Sequence, residues 1–318
     1  MKRKLGKTDI QVTAVAMGCW PIAGMTSVDV VKEESQKTLE AAFECGINFF
    51  DTAFCYGADG ISEKLLGQTA LARREEFVIA TKCGIHWDEN VNKVIDGSPG
   101  RLRKECDESL SRLQTDYVDL MYLHRPDPSI SISESAGAIL EMQKTGRTRA
   151  AGLSNCTFWQ AQQFHETCPL SAIQLPYNMI EREIENEFVP WCTENQISLC
   201  IYWPLMKGLL AGKIRRDFQF AADDNRLTYG QFIGDEFERN QQLLDELQTI
   251  ADETQRTIAE LVIHWTINQL GITAALCGAK RHWQIRETAS TISDPLSSQV
   301  LHRIEQTRAR WADQEPTA

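Results

Sequence analysis

The sequence lacks the features that mark membrane-spanning and nucleic-acid-binding proteins. Its 318 residues contain no run of apolar residues that reaches the length of about 18 that a membrane-spanning helix needs. Basic residues do not dominate either, since 33 Lys and Arg stand against 44 Asp and Glu and leave a formal net charge of −11. This acidic balance argues against non-specific binding to nucleic acid or to an anionic membrane surface.

Motifs for disulfides, zinc and classical nucleotide binding are also missing. No two of the ten cysteines are spaced Cys-x-x-Cys, and several lie in apolar runs, a pattern typical of buried thiols in a reduced chain. Because Met1-Lys2-Arg3-Lys4 is not followed by an apolar stretch, no secretory signal is predicted and we expect a cytoplasmic protein. There is no G-x-G-x-x-G and no G-x-x-x-x-G-K-[ST], so neither a Rossmann nor a P-loop site is expected.

The chain does contain a repeated pairing of a short apolar run with a stretch of helical period. The eight runs lie at residues 12–18, 47–53, 77–82, 117–124, 148–154, 172–178, 198–205 and 273–278. Helical patterns lie at residues 33–45, 98–113 with Ser98 as the N-cap, 133–144, 237–251, 257–268 and 296–311. Eight buried strands alternating with helices predict an α/β fold, a (β/α)8 TIM barrel that forms a single domain over residues 1–318.

Two segments fall outside the eightfold pattern. Residues 1–12 are predicted to form an N-terminal β-hairpin with its turn at residues 6–9, which could close the bottom of the barrel. Residues 206–234 form a long loop after strand 7 that is rich in Arg, Asp and Gly. Because long loops in compact domains are more often functional than not, this loop is expected to contribute to a site.

Polar residues at the ends of the predicted strands indicate where the chemistry lies, since barrel active sites occupy the C-terminal ends of the strands. Asp51 ends the second run and Tyr56 follows on the loop, while Lys82 and His124 end the third and fourth runs. These side chains suit proton donation to a carbonyl oxygen. A neighbouring ammonium is expected to lower the pKa of the phenol, a carboxylate would orient that ammonium, and a neutral imidazole would hold the carbonyl oxygen. A hydride source would then be needed, which no side chain supplies.

Several segments, in order along nearly the whole chain, resemble the aldo-keto reductase family. They include Gly-Ile-Asn-Phe-Phe-Asp-Thr-Ala-Phe-Cys-Tyr-Gly at residues 46–57, together with residues 62–67, 80–82, 116–120, 123–124, 152–155, 174–178 and 208–213. The resemblance implies a metal-free, NAD(P)H-dependent reductase of a small-molecule carbonyl substrate. It also implies that Asp51, Tyr56, Lys82 and His124 are the catalytic tetrad, with Tyr56 as the general acid.

The same resemblance implies a set of cofactor contacts. Ser154, Asn155 and Gln174 would bind the nicotinamide carboxamide, and Tyr202 would stack on the nicotinamide ring. The residues expected near the pyrophosphate and the adenosine phosphate are Leu205, Lys207, Leu209, Lys213, Gly278, Lys280, Arg281, Gln284 and Thr288. Lys280 and Arg281 precede a helix and could pair with a ribose 2′-phosphate, which favours NADPH, with NADH as a further possibility. The chain departs from the family pattern at Trp203, Cys277 and Thr288, which concerns cofactor affinity rather than the reaction.

Candidates for the substrate pocket are less specific. Trp20 and Trp87 follow the first and third strands and either wall an apolar pocket or pack the loops. Arg125 either favours an anionic substrate or forms a structural ion pair, with Asp127 as one candidate partner. No nucleic acid or membrane partner is expected.

Two alternative functions differ in class from a reductase. One is a cofactor-binding regulatory subunit that resembles the channel-associated members of the family. The other makes Lys82 a Schiff-base nucleophile, against which the spacing of Asp51 and Tyr56 argues.

Overall fold

A computed structural model describes residues 1–24, 30–222 and 224–313. In chain order the strands are β1 (Lys2–Lys4), β2 (Gln11–Thr13), β3 (Val15–Gly18), β4 (Phe49–Asp51), β5 (Val78–Cys83), β6 (Ile85–Trp87), β7 (Lys93–Ile95), β8 (Val118–Leu123), β9 (Thr148–Ser154), β10 (Ala172–Pro176), β11 (Ser198–Tyr202) and β12 (Ile272–Gly278). Strands β1 and β2, and strands β6 and β7, form antiparallel hairpins. The other eight strands are parallel and close into a barrel in chain order, with β12 pairing back to β3.

The predicted (β/α)8 barrel is therefore confirmed, and each of the eight apolar runs overlaps one barrel strand. The first run, residues 12–18, is divided between two strands, because Val12 belongs to the hairpin strand β2 and only Val15–Gly18 enters the barrel. The run at residues 148–154 coincides with β9.

Large and small side chains alternate inside the barrel and fill it. Phe49, Leu120 and Tyr122 are fully buried there beside several alanines. At Gly152 a Cβ atom would lie 2.4 Å from Cδ1 of Tyr122, so the tyrosine ring occupies the space that any larger residue on β9 would need. The barrel is thus a packed core rather than a pore.

The N-terminal hairpin closes the bottom of the barrel, as predicted. Leu5, Ile10 and Val12 are buried against the interior side chains. The turn begins at Gly6, whose N–H donates to Oγ of Ser198 at 2.8 Å. Gly6 has a φ of +55°, and a Cβ there would lie 2.5 Å from the carbonyl oxygen of Ser171, so glycine is required at this position.

Helices surround the barrel. They are α1 (Lys32–Glu44), α2 (Ile61–Ala70), α3 (Pro99–Leu113), α4 (Ile132–Lys144), α5 (Phe158–Thr167), α6 (Phe188–Asn195), α7 (Gly234–Thr254), α8 (Ile258–Ile267), α9 (His282–Ser293) and α10 (Ser298–Asp313). Each of the six predicted helical stretches is a helix, although the ends shift by a few residues. Ser98 precedes α3 as predicted, but its side chain makes no capping hydrogen bond. In the part of the chain that is described, no helix is long and apolar enough to cross a membrane.

The predicted long loop after β11 has structure of its own. Short 3-10 turns occupy Met206–Ala211, Asn225–Thr228 and Gly230–Phe232. Lys207 adopts a left-handed backbone with a φ of 51°, and its ammonium lies 3.6 Å from the centroid of the Trp203 ring and 4.0 Å from that of Tyr229. The loop is therefore held at the C-terminal end of the barrel by cation–π contacts.

Candidate active site

A buried ammonium lies at the centre of the barrel mouth. Strands β4 and β5 pair with Asp51 opposite Ala80, so Lys82, two residues further along β5, points to the same face. Nζ of Lys82 donates to Oδ1 of Asp51 at 2.5 Å, to the carbonyl oxygen of Thr52 at 2.8 Å and to the hydroxyl of Tyr56 at 3.2 Å. These three acceptors match the three N–H donors of a protonated lysine.

The phenol of Tyr56 lies against this ammonium in a mostly apolar wall. Its ring meets the Trp20 ring edge to face at a centroid distance of 4.9 Å. Burial, and after it the negative charge of Asp51, raises the pKa of Tyr56 well above its usual value. The expectation of a lowered pKa for Tyr56 is therefore wrong, because burial and the carboxylate of Asp51 both raise it. The phenol of Tyr56 is therefore neutral near pH 7.

His124 faces Tyr56 across the mouth with a ring-centroid distance of 5.9 Å. Burial, and then the positive charge of Lys82, lowers its pKa well below the usual value, so the imidazole is neutral as expected. Sγ of Cys55 lies 3.6 Å from Nδ1 of His124. Burial raises the pKa of Cys55 to about 11, so the thiol keeps its proton and is able to donate it to Nδ1 when that nitrogen carries no proton. A neutral imidazole that accepts at Nδ1 carries its proton on Nε2, where it can donate to a ligand.

The residues expected around a nicotinamide form a continuous row of hydrogen bonds joined to this group. Nε2 of Gln174 donates to Oδ2 of Asp51 at 2.8 Å. Nδ2 of Asn155 donates to the carbonyl oxygen of His124 at 2.9 Å, and the hydroxyl of Tyr202 donates to Oδ1 of Asn155 at 2.8 Å. Tyr202 is thereby fixed with its ring half-buried at the end of β11.

The residues expected near the adenosine phosphate gather at the start of α9, next to Gly278 at the end of β12. Oε1 of Gln284 accepts from the backbone N–H of Lys280 at 2.8 Å and from that of Arg281 at 3.1 Å. The ammonium of Lys213, from the loop after β11, lies 3.7 Å from the carboxylate of Glu287 in α9. Lys280 and Arg281 directly precede the N-terminus of α9, an arrangement that suits a phosphate.

Of three other predicted cofactor residues, two are buried and one is partly buried. The side chain of Leu209 is fully buried in the hydrophobic core, whereas Leu205 is only partly buried. Thr288 is 5% exposed, and its hydroxyl donates to the carbonyl oxygen of Gln284 one turn earlier in α9.

Trp20 and Trp87 lie beside the tetrad and are partly buried, packed against Cys55 and Tyr56. Nε1 of Trp87 donates to the carbonyl oxygen of Cys55 at 3.0 Å. Both tryptophans therefore pack against the loop that carries Cys55 and Tyr56.

The alternative of an ion pair between Arg125 and Asp127 is wrong. Asp127 accepts instead from the backbone N–H groups of Gly97 at 3.0 Å and Ser129 at 2.8 Å. Arg125 is exposed, and over residues 1–24, 30–222 and 224–313 no acidic side chain forms an ion pair with it.

Two residues at the site were not predicted to take part in it. Cys55 lies outside the predicted strands, and only the fold brings it to His124. Lys93 was missed because the two strands of its hairpin are each three residues long. The turn-forming Asp88-Glu89-Asn90 between two apolar stretches is the signal that could have revealed this hairpin.

The described residues form neither a disulfide nor a cluster that could bind a metal ion. All ten cysteines are free thiols. Over the described ranges, no group of three His, Cys, Asp or Glu residues could hold a metal ion.

Comparison with known proteins agrees with this geometry. The aldo/keto reductase family model matches residues 14–309. The chain is 32% identical over 298 residues to the aldo-keto reductase YhdN of Bacillus subtilis (strain 168), covering 93% of this chain and 89% of that one. It is 33% identical over 312 residues to the NADH-specific methylglyoxal reductase of Escherichia coli (strain K12), covering 93% of this chain and 94% of that one.

A solved structure gives the same result. The glycerol dehydrogenase of Gluconobacter oxydans superimposes with a TM-score of 0.90 at 31% identity, covering 100% of this chain and 98% of that one. The chain belongs to the aldo-keto reductase family, and it is an oxidoreductase of the NAD(P)H-dependent kind.

Proposed function

We propose that this protein reduces an aldehyde or a ketone to the alcohol with NADPH, and that Tyr56 supplies the proton. The observation that carries the proposal is the contact between the hydroxyl of Tyr56 and the ammonium of Lys82, which is itself held by Asp51. A neutral phenol beside a fixed cation is a proton donor whose conjugate base would be stabilised as soon as it forms.

Each residue of the tetrad has a distinct part in this proposal. The Nε2–H of His124 would hold the carbonyl oxygen of the substrate, opposite the hydroxyl of Tyr56. As negative charge develops on that oxygen, the phenolic proton of Tyr56 transfers to it. Asp51 keeps Lys82 charged and oriented, so that the ammonium neutralises the phenolate that remains.

The residues around the mouth fit a nicotinamide dinucleotide. Such a cofactor, when bound, supplies the hydride that no side chain can. The half-buried ring of Tyr202 offers a surface for stacking, and Ser154, Asn155 and Gln174 offer amide and hydroxyl groups. Lys280 and Arg281 at the start of α9 suit a ribose 2′-phosphate, which supports NADPH. Since the relative in Escherichia coli is NADH-specific by name, both cofactors must be compared.

The test is a spectrophotometric screen of NADPH and NADH oxidation over aldehydes, ketones and sugars, using the purified protein and the Tyr56→Phe variant. We expect the wild type to oxidise NADPH faster than NADH. The variant should lose turnover of every substrate while binding NADPH as tightly as the wild type, as measured by tryptophan fluorescence quenching. Full activity of the variant would refute Tyr56 as the acid.

The screen also separates the alternatives. Tight NADPH binding with no turnover of any carbonyl compound would instead indicate a regulatory binding module. Schiff-base chemistry at Lys82 would leave an adduct that borohydride traps. It requires a free amine, whereas Nζ of Lys82 donates three hydrogen bonds.

A further inference from the structure

Two cations stand near the substrate side of the site without acidic partners. One is Lys93, in the hairpin strand β7, and the other is Arg125, the residue after His124. In residues 1–24, 30–222 and 224–313, neither side chain has an ion pair with an acidic residue.

Aromatic rings hold Lys93 in place. Its ammonium lies 4.7 Å from the ring centroid of Trp20 and 5.2 Å from that of Trp87. Trp20 in turn packs edge to face on Tyr56, and Trp87 donates to the backbone carbonyl of Cys55. The ammonium is therefore fixed to the wall next to the proposed proton donor, and contacts with ring faces leave its N–H groups able to donate to a ligand.

Arg125 brings a second charge to the same opening. It is exposed at the end of β8, beside His124. Burial, followed by the charges of Lys82, Lys93 and Arg125, lowers the pKa of His124.

We propose that Lys93 and Arg125 form an anion subsite, and that the preferred substrate is an aldehyde or ketone carrying a carboxylate or phosphate group. The inference rests on the proposed reductase function and narrows it to one substrate class. Charged hydrogen bonds from an ammonium or a guanidinium are stronger than neutral ones. A lysine already held between two indoles also loses little freedom when it binds an anion.

The experiment compares pairs of substrates in which one member carries an anionic group and the other does not. The specificity constant kcat/KM is measured for para-carboxybenzaldehyde and divided by the value for para-formylbenzamide, at saturating NADPH and low salt. A second pair, glyceraldehyde 3-phosphate and glyceraldehyde, distinguishes phosphate from carboxylate. The variants are Lys93→Met, Arg125→Met and the double substitution. Lys104→Met, at an exposed lysine of α3 that lies beside Glu108, is the matched control.

We expect a wild-type ratio of about ten or more in at least one pair, falling as salt is added because salt screens exposed charges. The ratio should fall about tenfold in Lys93→Met, further in the double variant, and not at all in Lys104→Met. A wild-type ratio near one in both pairs overturns the anion subsite, and so does a ratio that both single variants and the double variant retain. Absence of turnover for these four substrates and for every other carbonyl compound of the screen would overturn the proposed function itself, which distinguishes the two failures.

Discussion

Replacing Lys82 by Met tests the buried ion pair at the centre of the site. The methionine keeps an unbranched apolar stem but removes the charge, so the carboxylate of Asp51 is left with the amide of Gln174 at 2.8 Å as its remaining side-chain partner. The side chains of Lys82 and Asp51 are 0% and 3% exposed. Removing one partner of a buried pair costs about 3–5 kcal/mol, a large part of the roughly 5–15 kcal/mol that stabilises a folded domain.

The loss of unfolding free energy in Lys82→Met should depend on pH and should grow as pH rises. Burial raises the pKa of Asp51, while Lys82 and Gln174 act in the opposite direction. Without Lys82 the pKa rises further, so the folded variant binds a proton that the unfolded chain releases. Stability from such a group is present at low pH and is lost as pH rises through the folded-state pKa. The slope is at most about 1.4 kcal/mol per pH unit, or about 4 kcal/mol between pH 5 and pH 8.

Urea unfolding of the wild type and of Lys82→Met, at about pH 5 and about pH 8, measures this difference. We expect the deficit of the variant to be larger at the higher pH. The double variant Asp51→Asn with Lys82→Met lacks both charges and should show a deficit that is nearly constant with pH. A Lys82→Met deficit that stays constant or shrinks as pH rises would refute the reasoning.

Three further predictions concern the turn at Gly6, the thiol of Cys55 and the pKa of Tyr56. Gly6→Ala should lower the free energy of unfolding by about 2–4 kcal/mol, because of its positive φ and the carbonyl of Ser171; an unchanged urea midpoint would contradict this. Cys55→Val should lower kcat about tenfold by removing the donor to Nδ1 of His124, whereas Cys55→Ser, which keeps a donor, should retain most of it; equal rates in the two variants would exclude the role. Because burial raises the pKa of Tyr56, the initial rate of alcohol oxidation should still increase with pH near pH 10; a plateau near pH 8 would contradict the raised pKa.

The fold could be predicted from the sequence because its main signals are local. Apolar runs mark strands that are buried on both faces, and each run overlaps one strand of the barrel. The unpredicted elements were short, such as β6 and β7 with three residues each. Helix α5 did carry a local signal in its capping box, in which Thr157 and Gln160 bond each other's backbone N–H groups.

The candidate site was predictable to a smaller extent. Asp51 and Lys82 could be placed together because both end neighbouring parallel strands, and the structure joins them at 2.5 Å. The direction of the pKa shift of Tyr56 was not predictable, because it depends on how much water the surrounding loops exclude. The contacts of Cys55 and Lys93 likewise depend on loop conformations that no local pattern encodes.

The hairpin packed under the barrel determines how substrate and product can enter and leave. Since Leu5, Ile10 and Val12 seal one end and side chains fill the interior, no tunnel runs through the barrel that the described residues form. A substrate and its product must therefore enter and leave through the same opening. A molecule that binds in the outer part of this opening would have to bind after the co-reactant that lies deeper, and to leave before it. Steady-state product inhibition should therefore follow an ordered pattern.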